Sequence, residues 1–372
     1  MFQKLPKLVL ALAVATACTG VFAKELRMAS GVPPVHPGHD PLYTELQKEL
    51  PEVSGGKLTG KLLGTEVISL SKMRTGMTSK LVDVGLFLPA YFPADLPEIN
   101  LVGDMAFLSK NPQAMAAAVT EYIVNCVDCQ AELKKLGVTY INSHSTDAYH
   151  ILSSKPVATL EDLKGLRLRV GGPQYARWAE AMGATPSRTP VGETFEALSQ
   201  GVLDGTIASS ADIVSFRLED IIKHVNTASL GTFFSDISHT VGIETWKGLS
   251  EDERKMLVKA STKANARTTQ RWVDISAKGE NIVKEKGMTV SEPDQALLDA
   301  TAAFVEKDLA EAARMAAEEN GIKNAEEKLA KFRELIDKWT KIAEENDNDV
   351  EKMAEAVQAE IWDKVDYSTY GL

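Results

Sequence analysis

The sequence predicts an α/β protein with mainly parallel sheets, and three observations support that fold class. Short strand-like segments alternate with longer stretches of helical spacing, an order that favours parallel strands joined by helices. The chain has 372 residues, enough for two domains. A helical stretch of about 35 residues begins at Ser250, and at 1.5 Å per residue it is longer than one small domain is wide. We therefore expect this helix to run along two domains.

The N-terminal segment differs in composition from the rest of the chain. Residues 1–23 place two lysines before the apolar run LVLALAVATA and end in Val21-Phe22-Ala23, which offers small residues at the positions that a signal peptidase reads. We expect an exported protein whose signal peptide is cleaved after Ala23. The apolar run is shorter than the ~20 residues that span a bilayer, which disfavours a membrane anchor. A lipoprotein signal at Cys18 would need a leucine three positions earlier, and none is there.

Strand and helix patterns then alternate along the chain. Residues 24–30 form a short strand candidate, and the four prolines and two glycines of 31–41 exclude regular structure. Apolar or alternating runs predict further strands over 57–63, 81–88, 138–143, 149–153, 166–170 and 205–209. Runs with helical spacing predict helices over 42–50, 71–79, 112–136, 173–182 and 191–200.

From Ser250 onward the chain is predicted to be mainly helical. Ser250 and Glu253 have the spacing of a capping box, in which each side chain accepts a hydrogen bond from the other residue's backbone amide. No proline or glycine interrupts this stretch until Gly279, and its end is typical of a helix terminus, with Lys284, Lys286 and Gly287. Further helices are predicted over 294–320, 325–345 and, as an amphipathic tail, 350–362.

Two cysteines follow the signal peptide, in Cys126-Val-Asp-Cys129. In an exported protein this spacing is typical of a short disulfide, with two thiols that never meet as the alternative. The pair falls late in the predicted helix 112–136, whereas a redox motif begins a helix after a strand. Two thiols without paired histidines do not complete a zinc site. We expect no metal site and no cofactor.

Charge and missing motifs narrow the function classes. The 52 acidic and 41 basic side chains give a net charge of −11, which disfavours a nucleic-acid or anionic-membrane partner. Residues 55–61, GGKLTGK, nearly match a phosphate-binding loop, but leucine follows where serine or threonine is needed and the segment leads into a strand. The sequence has no HExxH, GxSxG or GxGxxG motif, so catalysis is unsupported.

Arg167 and Arg169 lie in LEDLKGLRLRVGG, where apolar and cationic residues alternate as in a half-buried strand. The two arginines share one side of that strand but differ in position along it. Gly171-Gly172 ends the strand, so Arg169 lies at the carboxyl end, where open α/β sheets bind ligands. A guanidinium there suits a carboxylate bidentately. We predict a ligand role for Arg169, with an ion pair as the alternative, and a structural or solvated role for Arg167.

Three ordered motifs around these arginines resemble a known family. LKGLRLRV at 163–170, MGATP at 182–186 and ETFEALSQGVLDG at 193–205 are similar to the DLKGLKIRV strand, the LGATP turn and the ALQTGVVDG helix end of one group of proteins. That group comprises the extracytoplasmic solute-binding proteins of tripartite ATP-independent periplasmic (TRAP) transporters. The segment MRTGMTSKLVD at 73–83 and the helix after Ser250 also resemble this family. The resemblance covers 24–345.

The resemblance implies a two-lobed, type II-like periplasmic binding protein with hinge strands and a long domain-spanning helix. Such a protein binds one small organic anion in the periplasm and delivers it to membrane permease subunits. It is not an enzyme, and we expect a monomer. The resemblance predicts a first lobe of 24–147 plus 234–274, a second lobe of 148–233 plus 275–345, and a C-terminal extension over 346–372.

The resemblance also implies site residues. The family's arginine that pairs with the ligand's carboxylate falls on Arg169. Tyr149 stands where sialic-acid binders hold a second arginine, and Ala208 stands where asparagine is frequent, which disfavours sialic acid and a dicarboxylate held by two arginines. Val191 replaces an aromatic residue of some members, and Ser209 is a candidate to replace the lost hydrogen bond.

The expected ligand has one anionic head and a less charged body, as in an aromatic, hydroxy or keto acid. Tyr91, Tyr149, Phe233 and Phe234 are candidates for flat apolar contacts, with core burial as the alternative for both phenylalanines.

The loop 31–41 adds two histidines that could face a cleft. His39 is a candidate ligand contact, as is His36, with a solvated loop histidine as the alternative. An exported enzyme acting on an organic acid in the same cleft is the alternative function, and a ligand-sensing partner of a receptor is a third.

Overall fold

The computed structural model describes residues 23–108, 111–234 and 236–372, so the predicted signal peptide, apart from Ala23, lies outside the described residues, as does Cys18. The strands are β1 (Lys24–Ala29), β2 (Leu58–Leu63), β3 (Val84–Phe87), β4 (Val138–Ile141), β5 (Tyr149–Ser153), β6 (Arg167–Arg169), β7 (Thr185–Ser187), β8 (Gly205–Ser209), β9 (His224–Asn226), β10 (Ile237–Gly242) and β11 (Thr289–Ser291). The helices are α1 (Leu42–Ser54), α2 (Met73–Thr78), α3 (Pro97–Leu101), α4 (Pro112–Asn125), α5 (Val127–Leu136), α6 (Pro173–Ala181), α7 (Thr194–Ser199), α8 (Ala211–Ser215), α9 (Ile243–Gly248), α10 (Glu251–Glu285), α11 (Gln295–Asn320), α12 (Ala325–Glu345) and α13 (Val350–Glu360). None of these helices is both long and apolar enough to span a bilayer.

Two sheets confirm the predicted α/β class. The first has the strand order β2-β1-β3-β10-β4, and the second has the order β11-β9-β5-β8-β6-β7. The parallel arrangement is less complete than predicted, because β10 runs antiparallel to β3 and β4, and β5 runs antiparallel to β8 and β9. Both exceptions enter their sheet directly from the other sheet, since β5 follows β4 and β10 follows β9 along the chain. Neither therefore uses the helical crossover that joins parallel strands.

Two chain segments cross side by side between the sheets. One joins β4 to β5 and the other joins β9 to β10. They pair through their backbones, since Thr146 N–H donates to Phe233 O at 2.9 Å and Tyr149 N–H donates to Gly231 O at 2.7 Å. These paired segments bring the end of the first sheet next to the second.

Helix α10 runs past both sheets over 35 residues. Its N-terminus has the predicted capping box, in which Ser250 Oγ accepts from Glu253 N–H at 3.2 Å and Glu253 Oε2 accepts from Ser250 N–H at 2.8 Å. The helix packs against α1, α4 and α13 beside the first sheet and against α8 beside the second. Gly279 permits the approach to α8, because a Cβ there would lie 2.0 Å from Ser210 O. The prediction of a helix that spans both α/β units is confirmed.

The helix predicted over 112–136 is interrupted. Helix α4 ends at Asn125, and α5 begins at Val127 with Cys126 in an extended conformation as its N-cap. Cys126 and Cys129 form a disulfide, the first of the two alternatives. The pair therefore lies at the start of a short helix and not late in a long one, and Cys126 Sγ accepts from Cys129 N–H at 3.0 Å.

Helix α12 packs against α4, beside the first sheet. The predicted boundaries group 275–345 with the second lobe, but the apolar face of α12 is buried on first-lobe residues. Phe332 lies edge-on to Tyr122, and Trp339 Nε1 donates to Glu121 Oε2 at 2.6 Å. An amphipathic helix packs where its apolar stripe is buried, and this can be a different lobe from the one that contains the segments before it in sequence. The other lobe boundaries stay a prediction.

Residues 361–372 bind back onto the first sheet. Trp362 Nε1 donates to Asn142 Oδ1 at 2.9 Å, just after β4. Arg254 of α10 donates to Tyr367 O at 2.8 Å. The C-terminal extension is therefore an integral part of the packing around β4.

Candidate functional site

A cavity lies where the ends of both sheets meet α10. Its volume is about 50 Å³, and two adjoining clefts of about 310 Å³ and about 320 Å³ share Tyr91 with it. Pockets for small molecules usually measure about 300–1,000 Å³. The inner cavity therefore accommodates one end of a small ligand, and the clefts extend the available space toward the surface.

Arg169 lies at the carboxyl end of β6 and lines the inner cavity, as predicted. The residue is 3% exposed. Its Nε–H donates to Thr189 O at 3.0 Å, and this bond leaves both Nη groups for other acceptors. Within the described residues, no carboxylate forms an ion pair with this guanidinium. A buried cation of this kind is stabilised by an anion that enters the cavity.

Arg167 has the structural role that the sequence predicts. Its guanidinium binds Asp204 bidentately, with Nε to Oδ2 at 2.9 Å and Nη2 to Oδ1 at 2.9 Å. The hydrogen bonds from Arg167 hold the pKa of Asp204 well below its usual range, with Lys155 contributing. The side chain of Arg167 is 45% exposed. The two arginines of β6 thus differ in their partners as well as in their burial.

Asp212 also lines the cavity, from the short helix α8 that follows β8. The residue is buried, and its Oδ1 accepts no hydrogen bond from the described residues. Burial raises the pKa of Asp212 to about 7, and the positive charge of Arg169 opposes that rise. Because β6 and β8 are neighbouring strands, the two side chains reach the same cavity from one edge of the second sheet.

Asp236 and His144 line the cavity from the two crossing segments. Asp236 Oδ2 lies 2.7 Å from His144 Nδ1, and both side chains are buried. The other oxygen, Asp236 Oδ1, accepts no hydrogen bond from the described residues. The cavity therefore contains a second carboxylate with an unpaired oxygen.

His36 and Trp272 also line the cavity. His36 Nδ1 accepts from Gly38 N–H at 2.9 Å, so Nε2 carries the proton of the neutral ring. Burial lowers the pKa of His36 to about 3, with His144 and His39 adding to the effect, and the ring is neutral near pH 7. Trp272 Nε1 is buried and donates to no acceptor among the described residues.

Aromatic rings form one wall of the cavity. Tyr149 and Phe233 both line it and are stacked, with ring centroids 5.9 Å apart and planes 4° from parallel. Burial raises the pKa of Tyr149 well above its usual value, so the phenol stays protonated. At the mouth, Tyr91 Oη accepts a hydrogen bond from Val191 N–H at 2.9 Å, and both residues line the cavity. Tyr91 precedes the first crossing and Val191 follows it, so this bond joins the two sides of the cleft.

Two predicted residues on β8 lie outside the cavity lining. Ala208 is fully buried and packs in an apolar cluster with Leu152 and Ile213, on the face of the strand away from the cavity. Ser209 pairs with Tyr149 across β5 and β8, and its buried Oγ has no hydrogen-bond partner among the described residues. The alternation of a strand explains why these neighbours face different surroundings.

Two further predicted residues, Phe234 and His39, are not among the residues that line the cavity. Each is close in sequence to one that is: Phe234 is one residue from Phe233, and His39 is three residues from His36. Phe234 is buried and packs on Phe332 of α12, while its neighbour Phe233 faces the cavity. His39 Nδ1 lies 2.9 Å from Ser30 Oγ, and it is His36 in the same loop that lines the cavity. A loop of prolines and glycines has no periodicity from which the sequence could choose between these histidines.

The prediction missed Asp212, Asp236, His144 and Trp272. One signal was available for Asp212, because it follows β8 directly and carboxyl ends of neighbouring parallel strands share one edge of a sheet. Trp272 lies inside a long helix, and the other two lie in crossing segments without periodicity. Nothing local distinguishes these three from core residues.

A comparison with family models assigns the chain. The model of the bacterial extracellular solute-binding proteins of family 7 (DctP) matches residues 28–314. The chain belongs to this family. The resemblance seen in the sequence is thereby confirmed, and the family's extracytoplasmic setting agrees with the predicted export.

Individual relatives of family 7 are distant. A solute-binding protein of Roseobacter denitrificans is 28% identical over 174 residues, which are 46% of this chain and 53% of that protein. The chain thus aligns with about half the length of that relative.

Solved TRAP solute-binding proteins share the fold. One from Bordetella bronchiseptica, with bound mandelate, has a TM-score of 0.73 at 24% identity, covering 85% of this chain and 99% of that one. Another from Rhodoferax ferrireducens, with copurified benzoate, has a TM-score of 0.76 at 18% identity, covering 86% of this chain and 100% of that one. At these identities the likeness establishes the two-lobed fold.

Proposed function

We propose that this family 7 protein is the periplasmic solute-binding component of a TRAP transporter, which binds a small organic anion and delivers it to membrane permease subunits. The observation that carries the proposal is Arg169, a buried arginine in a cleft between two α/β units, which forms no ion pair with a carboxylate among the described residues. Family membership supplies the transport context.

The contacts of Arg169 favour a carboxylate. An unpaired buried charge is costly, and a carboxylate offers two oxygens that match the fork of a guanidinium. Because Nε is already bonded to Thr189 O, the ligand's oxygens bind the two Nη groups end-on. The acid enters with its head in the inner cavity and its body toward the clefts beside Tyr91.

The aromatic wall supports a ligand with a flat body. Tyr149 and Phe233 present stacked rings to the cavity, and such surfaces favour planar apolar groups. Proteins of the same fold hold mandelate and benzoate. Aromatic, hydroxy and keto acids are therefore the proposed ligand class.

Binding is proposed to close the lobes. In this proposal the first lobe comprises 24–147, 234–274 and α12, and the second lobe comprises 148–233 and 275–324. A ligand held by Arg169 in one lobe and by groups of the other favours the closed state through contacts that only this state makes.

The test compares the two arginines of β6. In a thermal-shift screen of carboxylates and sulfonates, a tight acid should raise the melting temperature. At an acid concentration of 100 times Kd, binding adds about 2.7 kcal/mol to the free energy of unfolding. Arg169→Ala should abolish this rise, and Arg169→Gln should weaken binding at least 30-fold, because either change removes the charged partner.

Arg167→Ala is the matched control, since it removes the same side chain two residues away and should leave the ligand-induced shift intact. Undiminished binding by Arg169→Ala would refute the anchor assignment. A binding role also predicts that bound acid is recovered unchanged, whereas turnover would indicate the alternative, an exported enzyme.

Export is proposed to use residues 1–23 as a signal peptide. In support, β1 begins at Lys24, directly after the predicted cleavage site, and Lys24 Nζ is paired with Glu253 at 2.6 Å. Intact mass of the exported protein should correspond to a chain that starts at Lys24.

A further inference from the structure

We infer that the ligand is a hydroxy acid whose hydroxyl group accepts a hydrogen bond from Trp272 and donates one to a buried carboxylate, Asp212 or Asp236, while its carboxylate binds Arg169. This inference rests on the proposed function and narrows its ligand class. The inference is based on polar groups of the cavity that would have no hydrogen-bond partner if the ligand contacted only Arg169.

Two acidic side chains in the cavity each have an oxygen without a hydrogen-bond donor among the described residues. Asp212 is 5% exposed and Asp236 is 4% exposed, and both line the cavity. Oδ1 of each is buried and accepts no hydrogen bond from the described residues. Asp212 comes from α8, which follows β8 of the second sheet, and Asp236 comes from the crossing segment before β10, so acceptors face the cavity from two sides.

An acid without a donor leaves this arrangement unsatisfied. The carboxylate of such an acid brings two more acceptor oxygens into a small cavity, and Arg169 is the arginine among the residues that line it. Buried acceptors cost free energy unless a donor reaches them, and the cost is larger when they are charged. A ligand that carries an O–H or N–H group relieves this cost, so a plain aromatic acid such as benzoate fits the cavity less well.

Trp272 decides between the kinds of polar group. Its Nε1–H is buried in the same cavity and has no acceptor among the described residues. A keto oxygen would accept from Trp272 but give nothing to the aspartates. An ammonium group would donate to the aspartates but leave Trp272 unpaired. A hydroxyl group donates one hydrogen bond and also accepts, so of the three groups it alone can pair with both Trp272 and one of the aspartates.

Calorimetric titration of the protein with matched acids tests this inference. The pairs are phenylacetate and mandelate, benzoate and 3-hydroxybenzoate, and propionate and lactate, with phenylglyoxylate and phenylglycine as the keto and amino counterparts of mandelate. At least one hydroxy acid should bind tenfold or more tightly than its unsubstituted partner. Mandelate should also bind more tightly than its keto and amino counterparts.

Variants connect that preference to the aspartates. Either Asp236→Ala or Asp212→Ala, whichever removes the acceptor of the hydroxyl group, should reduce the advantage of the hydroxy acid to less than threefold. If an alanine variant does not fold, the asparagine variant keeps the shape and should reduce the advantage in part. Asp220→Ala removes an exposed carboxylate of the second lobe and should leave the advantage unchanged.

The outcomes separate the inference from the proposed function. If the unsubstituted acids bind as tightly as the hydroxy acids, and Arg169→Ala abolishes binding, the inference is wrong and the proposed function stands. A keto or amino counterpart that binds more tightly than mandelate overturns the inference as well. If these acids bind and Arg169→Ala leaves their binding undiminished, both fail.

Discussion

Arg167 and Arg169 are identical side chains two residues apart, and their surroundings give them different chemistry. Arg167 is half-exposed and neutralised by Asp204, so solvent and its partner screen its charge. Arg169 is buried with one backbone partner, and its charge acts in a medium of low dielectric constant. The strand is only three residues long, and its last residue reaches the cavity where its first does not.

Asp212 should make the stability of the ligand-free protein depend on pH. Its pKa in the folded protein is about 7, above the 3.8 of an unperturbed group, so folding retains a proton that unfolding releases. The folded state therefore loses stability as the pH rises from about 4 to about 7. Asp212→Asn removes this loss, worth at most about 4 kcal/mol. Melting temperatures of the variant should exceed those of the wild type by several degrees at pH 8 and by little at pH 4.

The titratable and charged groups that line the same cavity are Arg169, His36, His144, Tyr91, Tyr149 and Asp236. Asp220→Asn makes the same charge change at an exposed site and serves as the control. A difference between Asp212→Asn and the wild type that stays constant from pH 4 to pH 8 would contradict the assigned pKa.

At the scale of elements, the sequence predicts regular structure well where local chemistry sets the boundary. Ser250 and Asp294 are N-caps that bond to the amide three residues on, and both helices begin where the sequence places them. The break at Cys126 was missed, because no proline or glycine marks it and the flanking residues all tolerate a helix. Its cause is the disulfide and cap formed by Cys126 and Cys129, which depend on a thiol geometry that helical spacing does not reveal.

Gly279 should be intolerant of a side chain although it lies inside α10. Alanine favours a helix over glycine by about 1 kcal/mol, but its Cβ would lie 2.0 Å from Ser210 O, a backbone atom that cannot rotate away. We expect Gly279→Ala to lower stability by about 1–3 kcal/mol through overpacking, and to weaken ligand binding by displacing α8 with Asp212. Chemical denaturation and titration with a bound acid measure the two effects.

Gly248→Ala provides the comparison, since nothing lies within 4 Å of a Cβ at that position in α9. This substitution should change stability by less than about 0.5 kcal/mol. Equal stability of the two variants would show that α10 and α8 do not need their close approach.

At the scale of the whole molecule, the fold was largely predictable and the site only partly so. Alternating patterns and family motifs predict two α/β units and place Arg169 at a strand end. The cavity, however, combines loop residue His36, crossing residue Asp236 and helix residue Trp272. Their proximity results from chain crossings over long sequence distances, and no local period encodes it.

The hydrogen bond from Val191 N–H to Tyr91 Oη joins the two sides of the cleft and should contribute to ligand retention. Tyr91→Phe keeps the ring but leaves this amide unpaired when the lobes are closed. We expect a loss of about 1 kcal/mol, or about fivefold in Kd, mainly through faster dissociation. Stopped-flow fluorescence can follow the release, because Trp272 lines the cavity.

Tyr122→Phe is the control for this substitution. It removes a hydroxyl group in the first lobe that is buried without a hydrogen-bond partner among the described residues. Ligand affinity should not change in this variant. An unchanged dissociation rate in Tyr91→Phe would mean that the bond does not hold the cleft shut.

The docking of residues 361–372 on the first sheet has a consequence for biosynthesis. A chain is synthesised from its N-terminus. The first sheet, which begins with β1, is complete only when β10, at 237–242, has been made, because β10 lies between β3 and β4. Its cover around Asn142 needs Trp362 as well. The second sheet, by contrast, has all its strands once residue 291 has emerged. The first sheet has its last strand before the second sheet does, but the packing around β4 is complete only once residues 361–372 have followed.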